Sequence, residues 1–349
     1  MSPTRAVLCG YYGMGNAGDE ALLVSLLQML PAEVEPIVLS GNPQATQKSY
    51  GVVSCDRKST FALLKVLQQS DIFIWGGGSL MQDSTSLASP IYYAGLMALA
   101  QQKGLTTIAW AQGIGPLNKS LTRWLTKQVL LGCNAVSVRD NASAELLRNW
   151  QLKPLVAPDP VWALHSQAPP ALPTTDKPIV AVVLRSHPLL TPSRLQTLIQ
   201  ALQDFQAKSS SFILLLPFQP AQDRAIAEQI ATQLQQDHVI MSIPNPQQLK
   251  GLFKEVKMAI GMRLHSLIMA AAEGCRCFAL SYDPKVTQLM SELDLPGYEL
   301  KNLPNQPKII SSVWLAQLEQ QGSNSQKIQS LVDRALIHQQ LLRETIIKD

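Results

Sequence analysis

Three kinds of residue in this chain sit where chemistry is done. The first is an acid at a glycine-rich turn: Gly10-Tyr-Tyr-Gly13-Met-Gly15-Asn16-Ala-Gly18-Asp19-Glu20 follows the apolar run Ala6–Cys9 and opens a helical pattern. Glycines there let backbone N–H groups approach an anion or a sugar, and the helix dipole favours carboxylates in the first turn. Asp19 and Glu20 lie in that first turn, where a ligand-binding loop and plain capping by Asp19 are the two readings. The second is an Arg-x-His pair, Gly261-Met-Arg263-Leu264-His265-Ser266, after Val256–Ile260 and at the start of another helical pattern. A guanidinium beside a helix N-terminus suits an anion, and an imidazole beside that anion can deliver a proton near neutral pH. The third is a set of cations at other strand ends: Arg139 in Ser137-Val-Arg-Asp140, Arg185 with His187, and Lys285 in Ser281-Tyr-Asp-Pro-Lys285. Arg139 could equally pair with Asp140 or Asp159.

Gly13, Gly15 and Gly18 fit the dinucleotide fingerprint G-x-G-x-x-G, but the second strand ends Leu39-Ser40-Gly41-Asn42, without the carboxylate that holds a ribose. A nicotinamide cofactor is therefore not expected. Two further glycine clusters, Gly76-Gly77-Gly78-Ser79 and Gln112-Gly113-Ile-Gly115-Pro116, also follow strand-like runs. Together they predict a shared ligand cleft lined by Gly15, Asn16, Gly77, Gly78, Ser79 and Gln112, with Arg185 from the second half; Gln82 and Asp83 are further polar candidates. No carboxylate–histidine cluster has metal-ligand spacing, so neither metal nor cofactor is required.

These positions need strands to aim them. Continuous apolar runs at 6–9, 37–40, 72–75, 107–111 and 135–138 alternate with helical patterns, and the rhythm restarts at 179–184, 212–216, 239–242, 258–260 and 277–281. That is the pattern of parallel strands covered by helices on both faces. A proline-rich stretch at 166–178 cannot continue a helix or a central strand and reads as a linker. The expected organisation is one Rossmann-like domain over 1–165, a second over 179–322, and a long amphipathic helix within 323–349 packing back on the first. Ligands in doubly wound sheets sit beyond the carboxyl ends of the strands, so a cleft between the two domains is the expected site.

Composition narrows the classes. The 349 residues are 46% hydrophobic and 15% charged, enough to build two large cores and too apolar for a disordered chain. A net charge of +4 without basic blocks argues against nucleic acid. No apolar run approaches the ~20 residues of a membrane span, and the five scattered cysteines suit reduced thiols. A cytoplasmic protein is expected. Lys119, Arg123 and Lys127 recur beside Leu121 and Trp124 along one helix, a solvated stripe or a basic, aromatic-edged contact with anionic lipid at the inner membrane face.

GYYGMGNAGDEALL, WGGGSLMQD, AQGIGP, SVRD, GMRLHSLIMAAAEG and LSYDPKV, in that order and over nearly the whole chain, resemble the polysaccharide pyruvyltransferases of bacterial cell-surface polymers. The resemblance implies a glycosyltransferase-B-like fold and transfer of pyruvate from phosphoenolpyruvate to a sugar, on a polysaccharide or its polyprenyl-linked precursor, forming a ketal and releasing phosphate. It places the acid of the family's GNxGD element on Asp19, the donor-binding and acid element on Arg263, Leu264 and His265, and the strand-end arginine on Arg139; Lys285 matches the basic residue after the last strand. An N-acetylmannosamine- or galactose-containing acceptor is also implied. Two other readings stay open: a nucleotide-sugar glycosyltransferase of the same architecture, and a non-catalytic carbohydrate-binding protein. Nothing in the sequence reads out an oligomeric state.

Overall fold

The computed structural model describes residues 3–84, 86–235, 237–320 and 325–347. The chain forms two compact units, one of residues 1–164 with 331–349 and one of 165–330.

The first unit carries β1 (Thr4–Cys9), α1 (Ala17–Met29), β2 (Val34–Ser40), α2 (Pro43–Tyr50), β3 (Val53–Asp56), α3 (Thr60–Gln68), β4 (Ile72–Gly78), α4 (Ala88–Gln102), β5 (Thr106–Gln112), α5 (Ser120–Leu131), β6 (Ala135–Val138), α6 (Asn141–Arg148) and β7 (Leu155–Val156). Its strands form one parallel sheet in the order β3-β2-β1-β4-β5-β6-β7. The direction of winding reverses between β1 and β4, which opens a crevice at their carboxyl ends. The central strands are buried on both faces, as their unbroken apolar runs require. Under α3 to α6 the core is built on Phe73, Trp75, Tyr93, Met97 and Leu130.

The second unit continues with β8 (Ile179–Val183), α7 (Pro192–Ser209), β9 (Phe212–Leu215), α8 (Pro220–Ala231), β10 (His238–Ile240), α9 (Pro246–Leu252), β11 (Met258–Gly261), α10 (Leu264–Ala272), β12 (Arg276–Ser281), α11 (Pro284–Leu293), β13 (Gly297–Glu299) and α12 (Pro307–Glu319). Its parallel sheet has the order β10-β9-β8-β11-β12-β13, with the reversal between β8 and β11. Phe205, Phe278 and Trp314 pack edge to face at the centre of its core.

The terminal helical pattern is not one helix. It divides into α13 (Ser325–Ala335) and α14 (Ile337–Ile346) around Leu336. The first unit takes back residues 331–349, and α14 is tied down there by His338. That side chain is fully buried, with Nδ1 3.0 Å from Ser137 Oγ and Nε2 3.0 Å from the Pro158 carbonyl oxygen, while its own carbonyl accepts from Trp110 Nε1 at 3.2 Å. A break in the helix lets this one turn seat an imidazole in the sheet's flank. Burial lowers the His338 pKa to about 4, so the ring stays neutral at ordinary pH. No described helix is long and apolar enough to cross a membrane.

Candidate active site

In the first unit the glycine-rich turn is a packed object with one open edge. Asn16 caps α1 by accepting from Gly18 N at 3.1 Å, so the cap role falls to Asn16 and leaves Asp19 in the first turn. Glu20, beside it, is buried and accepts from Gly13 N at 2.7 Å and from Tyr50 Oη at 2.9 Å. Burial raises its pKa, and these two hydrogen bonds oppose that rise. Gly13 has φ +69°, and a Cβ there would lie 2.0 Å from Ser40 Oγ and 2.7 Å from Asn42 N. No other residue fits. Gly15 faces open space at the exposed edge.

The strand-end glycines of β4 serve closeness within the fold more than access for a ligand. A Cβ on Gly76 would meet Tyr12 Oη at 2.0 Å, and one on Gly77 would meet Leu22 Cδ2 at 3.0 Å. Gly78 differs: a Cβ there would only touch Asp19 Oδ1 and Leu22 Cδ1 at 3.5 Å, and it is the φ of +88° that calls for glycine. Asp19 thus stands over the end of β4, partly exposed, on the first turn of α1.

Five of the sequence's polar and cleft candidates are engaged within the fold instead. Gln112 lines no cleft: it is fully buried and donates from Nε2 to the Trp110 carbonyl at 2.9 Å and the Trp75 carbonyl at 3.4 Å. Gly77 is buried against α1, as just described. Arg139 is committed to Asp159 in an ion pair whose side chains are 7% and 6% exposed, and its Nη2 donates to Ser79 Oγ at 3.1 Å. A charge taken this far out of water needs a fixed counter-charge, and Asp159 supplies it. Ser79 spends its oxygen on the same guanidinium. Asp83, a polar candidate from the sequence, instead holds the start of α5, accepting from Asn118 N and Lys119 N at 2.8 Å and from Thr122 Oγ1 at 2.6 Å.

In the second unit, register decides the site. Gly261 pairs with Val183 on one side and Ala279 on the other, so Arg185, Arg263 and Ser281, each two residues on, leave three adjacent strands at one level. Arg263 turns its fork inward: Nε donates to Asp223 Oδ2 at 2.8 Å and Nη2 to Asp223 Oδ1 at 2.7 Å, and Asp223 is fully buried. Those N–H groups grip a carboxylate of the fold, not the anion expected of them. The pair anchors the turn that starts α10, and Ser266 Oγ reinforces it by donating to the Arg263 carbonyl at 2.6 Å. Leu264 and His265, in the first turn of α10, remain partly exposed.

Arg185 is the cation less fully used. Its guanidinium lies 5.2 Å above the Tyr282 ring and donates from Nη1 to Tyr282 Oη at 2.9 Å, while its buried Nε has no partner. His187 packs against the same ring at 4.6 Å, and burial, followed by the Arg185 charge, lowers its pKa. Lys285 sits in the first turn of α11, which Asp283 caps by accepting from Lys285 N at 2.8 Å. Next to this turn a groove of about 530 Å³ opens between Tyr282, Asp283, Thr287, Gln288, Glu299 and Lys301. Among the described residues, no three His, Cys, Asp or Glu side chains are grouped so as to hold a metal ion.

Sequence reasoning missed an aromatic cluster beside the first unit's turn. Arg57 lies 5.7, 5.1 and 5.5 Å from the ring centres of Tyr11, Tyr92 and Tyr93, and donates to the Gly10 carbonyl at 3.3 Å. Only the adjacency of two tyrosines in Ile91-Tyr92-Tyr93 hinted at it. Asp223, forty residues before its partner, gave no signal.

The sequence matches the polysaccharide pyruvyl transferase family over residues 16–284, a span that begins at the α1 cap and runs past the His265 turn. The chain belongs to that family. No curated protein matches it in sequence. Among solved structures it is similar to the UDP-GlcNAc 2-epimerase from Neisseria meningitidis bound to UDP-GlcNAc (TM-score 0.64, 10% identity, 99% of this chain and 100% of that one). It is also similar to the S. aureus MnaA–UDP structure (TM-score 0.63, 11% identity, 98% and 95%). A third is Anabaena HepE with UDP and glucose (TM-score 0.55, 11% identity, 97% and 95%). At these identities the likeness is one of fold, and it makes this pyruvyl transferase family member a glycosyltransferase-B-like protein with two parallel-sheet α/β domains.

Proposed function

We propose that this transferase moves pyruvate from phosphoenolpyruvate to two hydroxyls of one sugar, on a cell-surface polysaccharide or its polyprenyl-linked precursor, forming a ketal and releasing phosphate. The observation that carries the reading is the family match across both the Asp19 turn and the His265 turn. The second unit supports it with cations that suit a small dianion or trianion: Arg185, with its unpartnered Nε, and Lys285 at the start of α11. Arg263 is a positioning residue in this scheme, its fork locked to Asp223 so that His265 is presented from a fixed turn. Arg139 likewise holds the end of β6 against Asp159 and Ser79.

The electrons balance without an outside reagent. His265 gives a proton to the methylene carbon of phosphoenolpyruvate, leaving an oxocarbenium-like centre at C2. One sugar hydroxyl adds to C2 and loses its proton to Asp19. Phosphate departs with the electrons of the C2–O bond, and the second hydroxyl of the same sugar closes the ketal as its proton passes to phosphate. The protein's work is to hold two anions and deliver one proton. Substituting His265→Ala is expected to abolish pyruvate transfer while the unfolding midpoint stays unchanged; full activity in that variant removes the proton donor from the scheme.

A second reading, transfer from a nucleotide sugar, is favoured by one feature. The 530 Å³ groove beside α11 has the capacity of a larger donor and offers the Glu299 carboxylate and the Thr287 hydroxyl. It predicts that nucleotide sugars, and not phosphoenolpyruvate, raise the unfolding temperature.

A further inference from the structure

Helices α3, α4 and α5 lie side by side on one face of the first sheet, sharing the core that contains Leu63, Leu67, Tyr93, Met97, Val129 and Leu130. Their starts are tied together. Tyr92 Oη of α4 donates to the carbonyl of Arg57 just before α3, and Asp83, just before α4, holds the first turn of α5. The far ends of α4 and α5 are joined by Gln101 Nε2 donating to the Val129 carbonyl at 2.7 Å. The three helices therefore run parallel, with their first turns at the carboxyl end of the strands.

Those first turns expose large apolar side chains. Phe61 and Leu64 of α3, Leu87 and Ile91 at the start of α4, and Leu121 and Trp124 of α5 are 39–81% exposed. Single exposed hydrophobics are ordinary; six on adjoining first turns are a surface. Its charge is mainly positive, with Asp56 before α3 and Asp83 at the first turn of α5 as the carboxylates beside it. Across α3, α4 and α5 there is no Asp or Glu, while Lys65, Arg123 and Lys127 lie within them and Lys58, Lys103 and Lys119 flank them. An apolar shoulder set among cations, without one carboxylate on its helices, complements a membrane whose headgroups are anionic and whose interior is apolar.

We infer that the first turns of α3, α4 and α5 form a docking surface for an anionic lipid bilayer. Phe61, Leu64, Ile91, Leu121 and Trp124 enter the interface, and Lys58, Lys65, Lys119, Arg123 and Lys127 contact the headgroups. This deepens the polyprenyl-linked part of the proposed reading: Arg57 joins this shoulder, through Tyr92, to Tyr11 in the glycine-rich turn, so a sugar carried on a lipid in that membrane is offered to the strand ends of the same unit.

The test uses the full chain and vesicles of equal phosphatidylglycerol and phosphatidylcholine, with pure phosphatidylcholine as the control. Flotation is expected to carry the protein with the anionic vesicles, binding should weaken steeply between about 0.1 and 1 M salt, and Trp emission should shift to the blue as Trp124 leaves water. Trp124 is 57% exposed, Trp75, Trp110, Trp162 and Trp314 are buried and Trp150 is half-buried, so the Trp124→Ser variant must remove most of the shift. The Phe61→Ser, Trp124→Ser double variant should lose binding roughly ten-fold or more at an unchanged unfolding midpoint, and Lys119→Glu with Lys127→Glu should do the same at low salt. The His265→Ala variant should bind vesicles like the unmodified protein, which separates this surface from the chemistry. Failure to bind anionic vesicles, or equal binding by the double variant, overturns the inference. So does a dimer in sedimentation that the double variant converts to monomer, which would assign the surface to a second copy of the chain.

Discussion

Breaking the Asp223–Arg263 pair is the sharpest way to separate a positioning arginine from one that holds the substrate. Asp223 is fully buried and Arg263 is 7% exposed, and two hydrogen bonds of 2.7 and 2.8 Å join them. Asp223 also accepts from Gln219 N at 2.8 Å, so its carboxylate anchors the start of α8 as well. Removing either partner leaves a charge out of water, and such losses run about 3–5 kcal/mol. For a unit of this size that is a fall of roughly 6–20 °C in the unfolding midpoint. Arg263→Lys keeps the charge but gives up the fork, and should lose about 1.5–3 kcal/mol. The double variant Asp223→Leu, Arg263→Met should recover about 2 kcal/mol or more of the summed single losses, because no buried charge is left alone. Urea unfolding of the unmodified protein and these four variants gives these numbers, and titration with phosphoenolpyruvate of the variants that stay folded gives the rest. Stability losses under about 1 kcal/mol for both single variants, with a hundred-fold weaker phosphoenolpyruvate affinity for Arg263→Met alone, would refute the positioning role and make Arg263 a direct ligand.

Two further outcomes follow from the first unit. The His338 pKa is about 4 in the fold against an ordinary value near 6.5, so the unfolded chain binds the extra proton between those values. Stability should be complete above pH ~6.5 and fall by up to about 3 kcal/mol as pH drops towards ~4; His338→Gln should flatten that part of the profile measured by thermal unfolding. Gly13→Ala combines a left-handed backbone with a Cβ 2.0 Å from Ser40 Oγ, and should lower the unfolding midpoint by several degrees and strip activity, whereas Gly15→Ala, open around its Cβ, should be milder.

Much of the architecture is legible because burial on both faces writes itself as unbroken apolar runs: β1, β4, β5, β8, β11 and β12 all announce themselves this way. The edge strands β3, β7 and β13, two to four residues long and half-exposed, do not, although β10, as short, shows through its run at 239–242. The terminal amphipathic pattern reads as one helix because periodicity survives the break at Leu336; only the buried seat of His338 explains the break. Glycine clusters reveal where strands end but not why. Gly76 and Gly77 yield to Tyr12 and Leu22, contacts that need the fold to exist. The same holds for charge: a strand-end arginine looks like an anion site until the sheet brings Asp159 or Asp223 to it. Asp19 and His265 lie at helix starts visible in the sequence, while Arg57 and its three tyrosines come together only in three dimensions.

The central claim is ketal formation from phosphoenolpyruvate, and phosphate release measures it most directly. The protein is mixed with phosphoenolpyruvate and a panel of galactose-, mannose- and N-acetylmannosamine-containing acceptors, free and polyprenyl-linked. Phosphate is expected only when a suitable acceptor is present, with a product heavier than the acceptor by pyruvate less water, and neither with His265→Ala. Consumption of a nucleotide sugar by the same panel, with phosphoenolpyruvate left intact throughout, would contradict it.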